Sequence, residues 1–476
     1  MIDMRNIYRQ FIFSILFSLV VVTAHAQTAL PLMPYPKEVQ LSEGKLYLTG
    51  ETSLSIEGKY SDRLSKEGAH FLRQLVEQTG LFINQSKVVG VIDQATIQVK
   101  SSAIGQVEIG ENESYTIQID QSGVKLNAAN DIGASRGLMT LLQLVQADSK
   151  GYYWPHVAID DEPRFRWRGM MIDPSRHFLP VTDLKRNIDA MAAVKLNVLH
   201  LHLSDDQGFR FESKVFPKLN ALGTDGNYYS QEELKDIVDY ASQKGILIVP
   251  EIDVPGHATA ILTAYPELGS KDTTYVLERF AGIFDPTLDP TNEEVYVFLD
   301  ELFAEIVTIF PGPYFNIGGD ENLGKHWNES EHIQNFMKKN GIKSNHELQG
   351  YFNLRLQKIL AQYEKRMMGW EEIMIDDLEK SALIHSWKGA WEGAEPKKSL
   401  YTAAAEGYQT ILSNGYYLDL MFTTKSSYLV DPAPKSDNLS DFQRSNILGG
   451  EICMWSELVI PQTLESRLWP RAAAIA

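Results

Sequence analysis

From Arg164 onward, short apolar runs, loops and helical patterns follow one another in a fixed order, and that rhythm leaves few folds open. The strand-like runs are "WRGMMID", "NVLHLHLS", "ILIVPEID", "YFNIGG", "RMMGW", "ALIHSW", "YQTILS" and "ILGGEICMW". Helical patterns fall between most of them, Thr182 to Ala193 and Gln231 to Lys244 among them. Eight strands in alternating βα order over roughly 300 residues predict an α/β fold, the (β/α)₈ TIM barrel, for residues 163–476. The closing "RLWPRAAAIA" is a helical pattern without a C-cap signal. The last helix therefore reads as cut short, or a C-terminal part follows it.

Residues 27–162 read differently. "KLYLTG", "TSLSIEG", "ATIQVK", "SYTIQID" and "GVKLNAA" alternate with the two-residue period of half-buried strands, and helical patterns cover about Asp62 to Gln78 and Ile132 to Val145. This predicts a small α+β domain, non-catalytic, because no chemically suggestive cluster falls in it. Before it, Arg5 and Arg9 precede the apolar run Phe11 to Val22, and "TAHAQ" supplies a small-x-small cleavage site. Residues 1–26 are thus expected to be a signal peptide, with the mature chain starting at Gln27. No other run is long and apolar enough to span a membrane. The lone cysteine, Cys453, rules out an internal disulfide and suits a bacterial periplasmic or extracellular protein. Lys and Arg total 44 against 62 Asp and Glu, a net charge of −18. Such a chain repels nucleic acid and anionic membranes and favours a neutral or cationic small substrate.

In a TIM barrel, chemistry collects at the C-terminal ends of the strands. Here those ends carry Asp173, Arg176 and His177; His202, Asp205 and Asp206; Glu251, Asp253 and His257; Asp320 and Glu321; Trp370; Trp387; Tyr417 and Asp419; Trp455 and Glu457. Taken one at a time, a Trp there is usually core and an Arg beside an Asp is usually a structural ion pair. Together, flat indoles ringed by carboxylates suit a sugar, whose C–H faces pack on aromatic rings and whose hydroxyls need polar partners. The adjacent pair in "YFNIGGDENLGKHW" raises its own question. Neighbouring side chains on a strand point to opposite faces, so Asp320 and Glu321 can serve one site only if the backbone leaves strand geometry. Gly318 and Gly319 permit that departure.

The segments "LPLMPYPKEV", "IDDEPRFRWRGMMIDPSRHF", "KLNVLHLHLSDDQGFR", "VPEIDVPGHA", "FNIGGDE", "GWEEI" and "WSE", in this order, closely resemble the family 20 glycoside hydrolases, the β-N-acetylhexosaminidases. The resemblance runs from about Leu30 to the last residue. It implies an exo-acting, retaining enzyme that removes terminal β-linked N-acetylglucosamine or N-acetylgalactosamine from a glycan, without a metal or other cofactor. Such enzymes are an exception to the rule of two opposed carboxylates and use the substrate's acetamido group as nucleophile. By resemblance, Asp320 holds the acetamido nitrogen and Glu321 is the general acid and base. Repulsion between the two is expected to keep Glu321 protonated and Asp320 ionised. Arg176 and Glu457 resemble the residues that grip the terminal sugar, and Trp370, Trp387 and Trp455 the indoles around it. Tyr417 resembles the tyrosine on the acetamido oxygen, with Asp419 beside it. Asp205, Asp253 and His257 resemble groups that stand behind the acids and tune them. Asn316 occupies a position where the family usually has His. Phe209 and Leu201 stand where Trp is common, and Phe209 is expected to loosen one wall.

Two other readings stay open on the residues alone. His200-x-His202 with Asp205 and His257 imitates the ligand set of a metal-dependent hydrolase. A carbohydrate-binding protein on an inactive barrel would keep the aromatic mouth and has no need of a proton donor.

Overall fold

The computed structural model describes residues 30–83, 95–389 and 395–476. The expected signal peptide, residues 1–26, lies outside the described residues.

The N-terminal layer is one seven-stranded mixed sheet made of β1 (Glu38–Tyr47), β2 (Leu54–Gly58), β3 (Ile97–Ser101), β4 (Tyr115–Asp120), β5 (Gly123–Ala128), β6 (Gln146–Asp148) and β7 (Gly151–Asp161). Its order is β1-β7-β4-β5-β3-β2, with β6 also paired to β7. β1 starts seven residues before the expected run at Lys45, and the register slips between Leu41 and Lys45. β7 hides its alternation over residues 153–157, which are buried on both faces, and alternates only from 157 to 161. The helix Asp131–Gln143 is buried along residues 131–141. Its small residues explain how it fits: a Cβ on Gly137 would lie 2.6 Å from Leu126.

That helix also docks onto the barrel. Arg136 donates to the backbone oxygens of Lys244 and Gly245, at 3.1 and 2.8 Å, just before the barrel strand that starts at Leu247. Glu113 bridges Arg136 (2.7 Å) and the barrel's Arg168 (2.8 Å). Burial alone would raise the Glu113 carboxyl, but the two guanidiniums override it and hold it down at about 2. Lys195 reaches back to Asp161 at 2.9 Å.

The barrel strands are β8 (Trp167–Ile172), β9 (Val198–His202), β12 (Leu247–Glu251), β13 (Tyr314–Asn316), β14 (Arg366–Trp370), β15 (Leu383–Ser386), β16 (Gln409–Leu412) and β17 (Ile447–Met454). A two-residue ladder, β10 (Ser204–Asp205) with β11 (Gly208–Phe209), decorates the loop after β9. The eight strands pair in parallel and close in chain order, β17 meeting β8. All eight expected runs supply one strand each. Outward residues such as Leu199, Ile248, Phe315 and Ile384 pack against the helices in one continuous core. Phe209 and Leu201 belong to that core and are fully buried. The expected loosening of a wall at Phe209 is therefore corrected: its ring packs among core side chains.

Inward residues stack in layers, as strand alternation requires. The bottom is apolar: Trp167, Val198, Val249, Tyr314, Met368, Leu383 and Ile411 plug it. Above lies a polar layer of His200, Glu251, Asn316, His385 and Glu451, each with no exposed surface. On top, Met171, Trp370, Trp387, Tyr417 and Cys453 form an aromatic cluster joined by Trp455. Cys453 is a free, buried thiol, so packing is its role here.

Candidate active site

β13 is three residues long, and the chain turns sharply after it. Gly318, Gly319 and Glu321 have φ of 66°, 88° and 53°, all left-handed. The glycines adopt this freely; at Glu321 it costs about 1–2 kcal/mol. Gly318 has a second reason to be glycine, since a Cβ there would sit 1.9 Å from Asp253 Oδ1. The turn is fixed from four sides. Asn316 Oδ1 accepts from Gly318 N (2.9 Å), Asp253 Oδ1 accepts from Gly319 N (3.0 Å), Gln349 Nε2 donates to Gly319 O (2.5 Å), and Gly318 O accepts from Trp370 N (2.9 Å). As a result both carboxylates face one imidazole: His257 Nε2 lies 4.0 Å from Asp320 Oδ2 and 3.6 Å from Glu321 Oε2. His257 is itself left-handed, at φ 49°.

The two acids are not equivalent. The Asp320 side chain is 11% exposed and that of Glu321 28%. Burial pushes the Asp320 carboxyl up to about 7; His257 opposes this, while Glu372, Glu321 and Glu251 add to it. Near neutral pH the free Asp320 is thus divided between its two forms, where full ionisation was expected. The sequence shows two like charges side by side, and only the fold shows which one is desolvated. Asp253 behind it is also raised, by burial and then by the Asp320 charge. Burial alone would lower His257, but Asp205 and its neighbours override it and raise it well above the ordinary histidine range. Its Nδ1 lies 3.2 Å from Asp205 Oδ1 and 3.4 Å from Asp206 Oδ2.

Facing this pair is the aromatic cluster. Trp370 and Trp455 lie 5.5 Å apart, tilted at 40°, and Tyr417 meets Trp455 at 6.4 Å. Arg176 sits over the Trp455 ring at 4.8 Å and pairs with Asp205 Oδ2 at 2.6 Å and Asp173 Oδ2 at 3.4 Å. Asp419 is pushed up to about 7, first by burial and then by the Glu457 charge. Glu457 is raised by burial and lowered in part by Arg176, which places this acid near the guanidinium. Among the described residues, Arg176 Nε, Asp320 Oδ1 and Asp419 Oδ1 are buried polar atoms with no hydrogen-bond partner. Unpartnered groups of this kind are costly unless a ligand answers them. Asn316 sits one layer lower, 3.2 Å from His200 Nε2, and is tied to the acids' turn at Gly318 N. A cavity of about 790 Å³ lies away from this mouth, lined by Glu113, Arg168, Tyr416 and Ala476 among others.

Several contributing residues escape sequence reasoning. Glu372 accepts from Trp387 Nε1 (3.0 Å), pairs with Lys388 (2.9 Å) and adds negative potential at Asp320. The doubled acid in "GWEEI" is its only local signal. Gln349 comes from the helix Asn345–Gln362 and has none. Among the described residues, the groups that could converge on a cation, within 4.8 Å of one another, are His200, His385 and Glu451; His202, Asp205 and Asp253; Asp205, Asp206 and His257; and Asp253, His257 and Asp320. The first three have internal contacts already. His200 has Glu451 and Glu251 on its two ring nitrogens (2.8 and 3.0 Å), and His202 has Glu251 and Asp205 (2.5 and 2.8 Å). A metal on His200 or His202 would displace those contacts, whereas in the fourth group Asp253 Oδ2, His257 Nε2 and Asp320 Oδ1 have no hydrogen-bond partner.

The family model described as "Glycosyl hydrolase family 20, catalytic domain" matches residues 165–476, and that family's domain 2 matches residues 29–162. The chain belongs to glycosyl hydrolase family 20. Among curated members, the beta-hexosaminidase of Vibrio furnissii is 30% identical, covering 96% of this chain and 77% of that protein. The beta-hexosaminidase of Porphyromonas gingivalis is 34% identical over 77% of this chain, and the chain spans 50% of its length. Among solved structures, the Flavobacterium johnsoniae chitobiase is 51% identical, with a TM-score of 0.92 over 94% of this chain and 68% of that one. The family 20 architecture, a domain 2 followed by a closed eight-stranded barrel, is thus the one described above.

Proposed function

We propose that this family 20 chain is an exo-acting β-N-acetylhexosaminidase that retains configuration and uses its substrate's 2-acetamido group as nucleophile. The observation that carries this reading is the left-handed turn at Gly318–Glu321, which brings two adjacent carboxylates to one imidazole at the barrel mouth. Carboxyls that flank a sugar from opposite sides stand about 5–10 Å apart across it. Two neighbours sharing one imidazole do not enclose an anomeric carbon in that way. The similarity to proteins named beta-hexosaminidase and chitobiase points to the same substrate class.

In the proposed reaction the acetamido oxygen attacks the anomeric carbon. The glycosidic C–O bond breaks, and its electron pair takes the proton of Glu321. An oxazolinium ion results, its positive charge shared with the acetamido nitrogen. Asp320 accepts a hydrogen bond from that N–H. The growing cation favours the ionised form of Asp320, reversing what burial does to it in the free site. Water then attacks the anomeric carbon and gives its proton to Glu321, and the oxazoline ring opens. Trp370, Trp387, Trp455 and Tyr417 enclose the acetamido group, while Arg176, Asp419 and Glu457 hold the ring hydroxyls and close the pocket around one terminal sugar.

The test is a pair of aryl glycosides. The N-acetyl-β-glucosaminide should turn over and the plain β-glucoside should remain essentially untouched, since it lacks the nucleophile. NMR should show the β-anomer as first product, because two inversions occur. Comparable rates on both glycosides, or an α-anomer first, would overturn the reading.

A further inference from the structure

Glu251 ends β12 in the polar layer beneath the pocket, and its two oxygens face two different parts of the site. Oε1 accepts from Trp370 Nε1 at 2.9 Å. Oε2 takes His202 Nδ1 at 2.5 Å and His200 Nε2 at 3.0 Å. The other nitrogen of His202 lies 2.8 Å from Asp205 Oδ2, the same oxygen that holds Arg176 at 2.6 Å. His202 also stands edge-on to Trp455, 5.0 Å away at 80°. A chain of short polar contacts thus runs from an indole wall, through Glu251, His202 and Asp205, to the guanidinium.

Resting on the function proposed above, we infer that Glu251 is a positioning residue for both halves of the bound sugar. Through Trp370 it fixes the wall of the acetamido pocket, and through His202 and Asp205 it fixes the Arg176 guanidinium over the ring hydroxyls. A carboxylate needed only to neutralise His200 would have no reason to spend a lone pair on the Trp370 indole. Glu251, His202 and Asp205 are at most 1% exposed, so the contacts act in a low dielectric where charged hydrogen bonds hold geometry tightly. Burial would raise the Glu251 carboxyl, but His202 and His200 override it and keep it ionised. Because one carboxylate anchors both arms, disturbance of either is transmitted to the other.

The test uses Glu251→Gln, Trp370→Phe, His202→Asn and the double variant Trp370→Phe/His202→Asn. Each is assayed for KM and kcat on an aryl N-acetyl-β-glucosaminide, with circular dichroism reporting the folded fraction. Glu251→Gln keeps the shape and an acceptor for the indole but sets an amide against His202. KM should rise about ten-fold or more, the loss expected of a buried charged hydrogen bond. Trp370→Phe and His202→Asn should each raise KM, and the double variant should raise it at least about three-fold less than the product of the two, since both remove support that passes through one group. A merely structural role would lower the active fraction and leave KM alone. An unchanged KM in Glu251→Gln, or effects in the double variant that simply multiply, would overturn the inference, and the second result is available even if Glu251→Gln does not fold. An inert wild type would overturn the function it rests on, and the inference with it.

Discussion

The two ends of the barrel bury the same kind of group for opposite ends. At the bottom, Glu113 lies between two arginines and its carboxyl is held down at about 2. At the mouth, Asp320 lies among other acids, with His257 the foremost charge that opposes burial, and its carboxyl is pushed up to about 7. Burial is the leading influence on both, so burial alone does not mark a functional acid. The supply of counter-charge does. A carboxyl with two guanidiniums is finished and serves as a joint between the N-terminal domain and the barrel. A carboxyl short of counter-charge is waiting for one, and in the proposed reaction the substrate brings it.

The largest test of this contrast is Asp320→Asn. It should lower kcat about 10³-fold with little change in KM, because the lost interaction is with charge that develops in the transition state. The same variant should raise Tm at pH 8. A carboxyl whose folded pKa lies above its unfolded value of about 4 costs the fold stability once pH climbs from about 4 past about 7. Loss of activity accompanied by loss of stability would break the comparison.

Next in size, Glu321→Gln should cut turnover about 10²-fold on a substrate with a poor leaving group and under about ten-fold on a dinitrophenyl glycoside, which leaves without a proton. A uniform loss across leaving groups would remove Glu321 from the acid role.

At the other end, Glu113→Ala should leave KM unchanged while destabilising the fold by about 3 kcal/mol or more, since Arg136 and Arg168 would stay buried without a partner. For the wild type, the Glu113 contribution is complete above pH about 4.5 and is lost as pH falls toward about 2, visible as a decline in Tm over that window. A KM that moves with Glu113→Ala would show that the two ends are coupled.

The smallest effect concerns pH. Free Asp320 protonates below about 7, so kcat/KM should fall as pH drops through that value. The kcat limb should lie lower, because bound substrate favours the ionised form. Asp320→Asn should abolish this acid-side limb of kcat/KM. Coincident limbs would mean that substrate does not act on Asp320.

The eight barrel strands were legible from sequence because each is a short apolar run followed by a loop and, for most, a helix, and that order is local information. The position of Asp320 and Glu321 at a strand end, and the licence that Gly318 and Gly319 give the backbone to turn there, were also written in adjacent residues. β7 was not legible, because both faces of residues 153–157 are buried and alternation is lost there. Neither was the inequality of the two acids, which adjacency alone makes look symmetric. What decided it was burial together with His257 and Glu372, groups on other strand ends. The Glu251 contacts join residues 49 and 119 positions apart, and the Glu113–Arg168 pair joins residues 55 apart across two domains. The sequence by itself determined the order of strands and which side chains reach the mouth, since these follow from local periodicity. Which carboxyl gains a partner, and which is left short of one, was decided only by the tertiary structure, because electrostatic energy depends on distance in space and on exclusion of water, and neither is ordered along the chain.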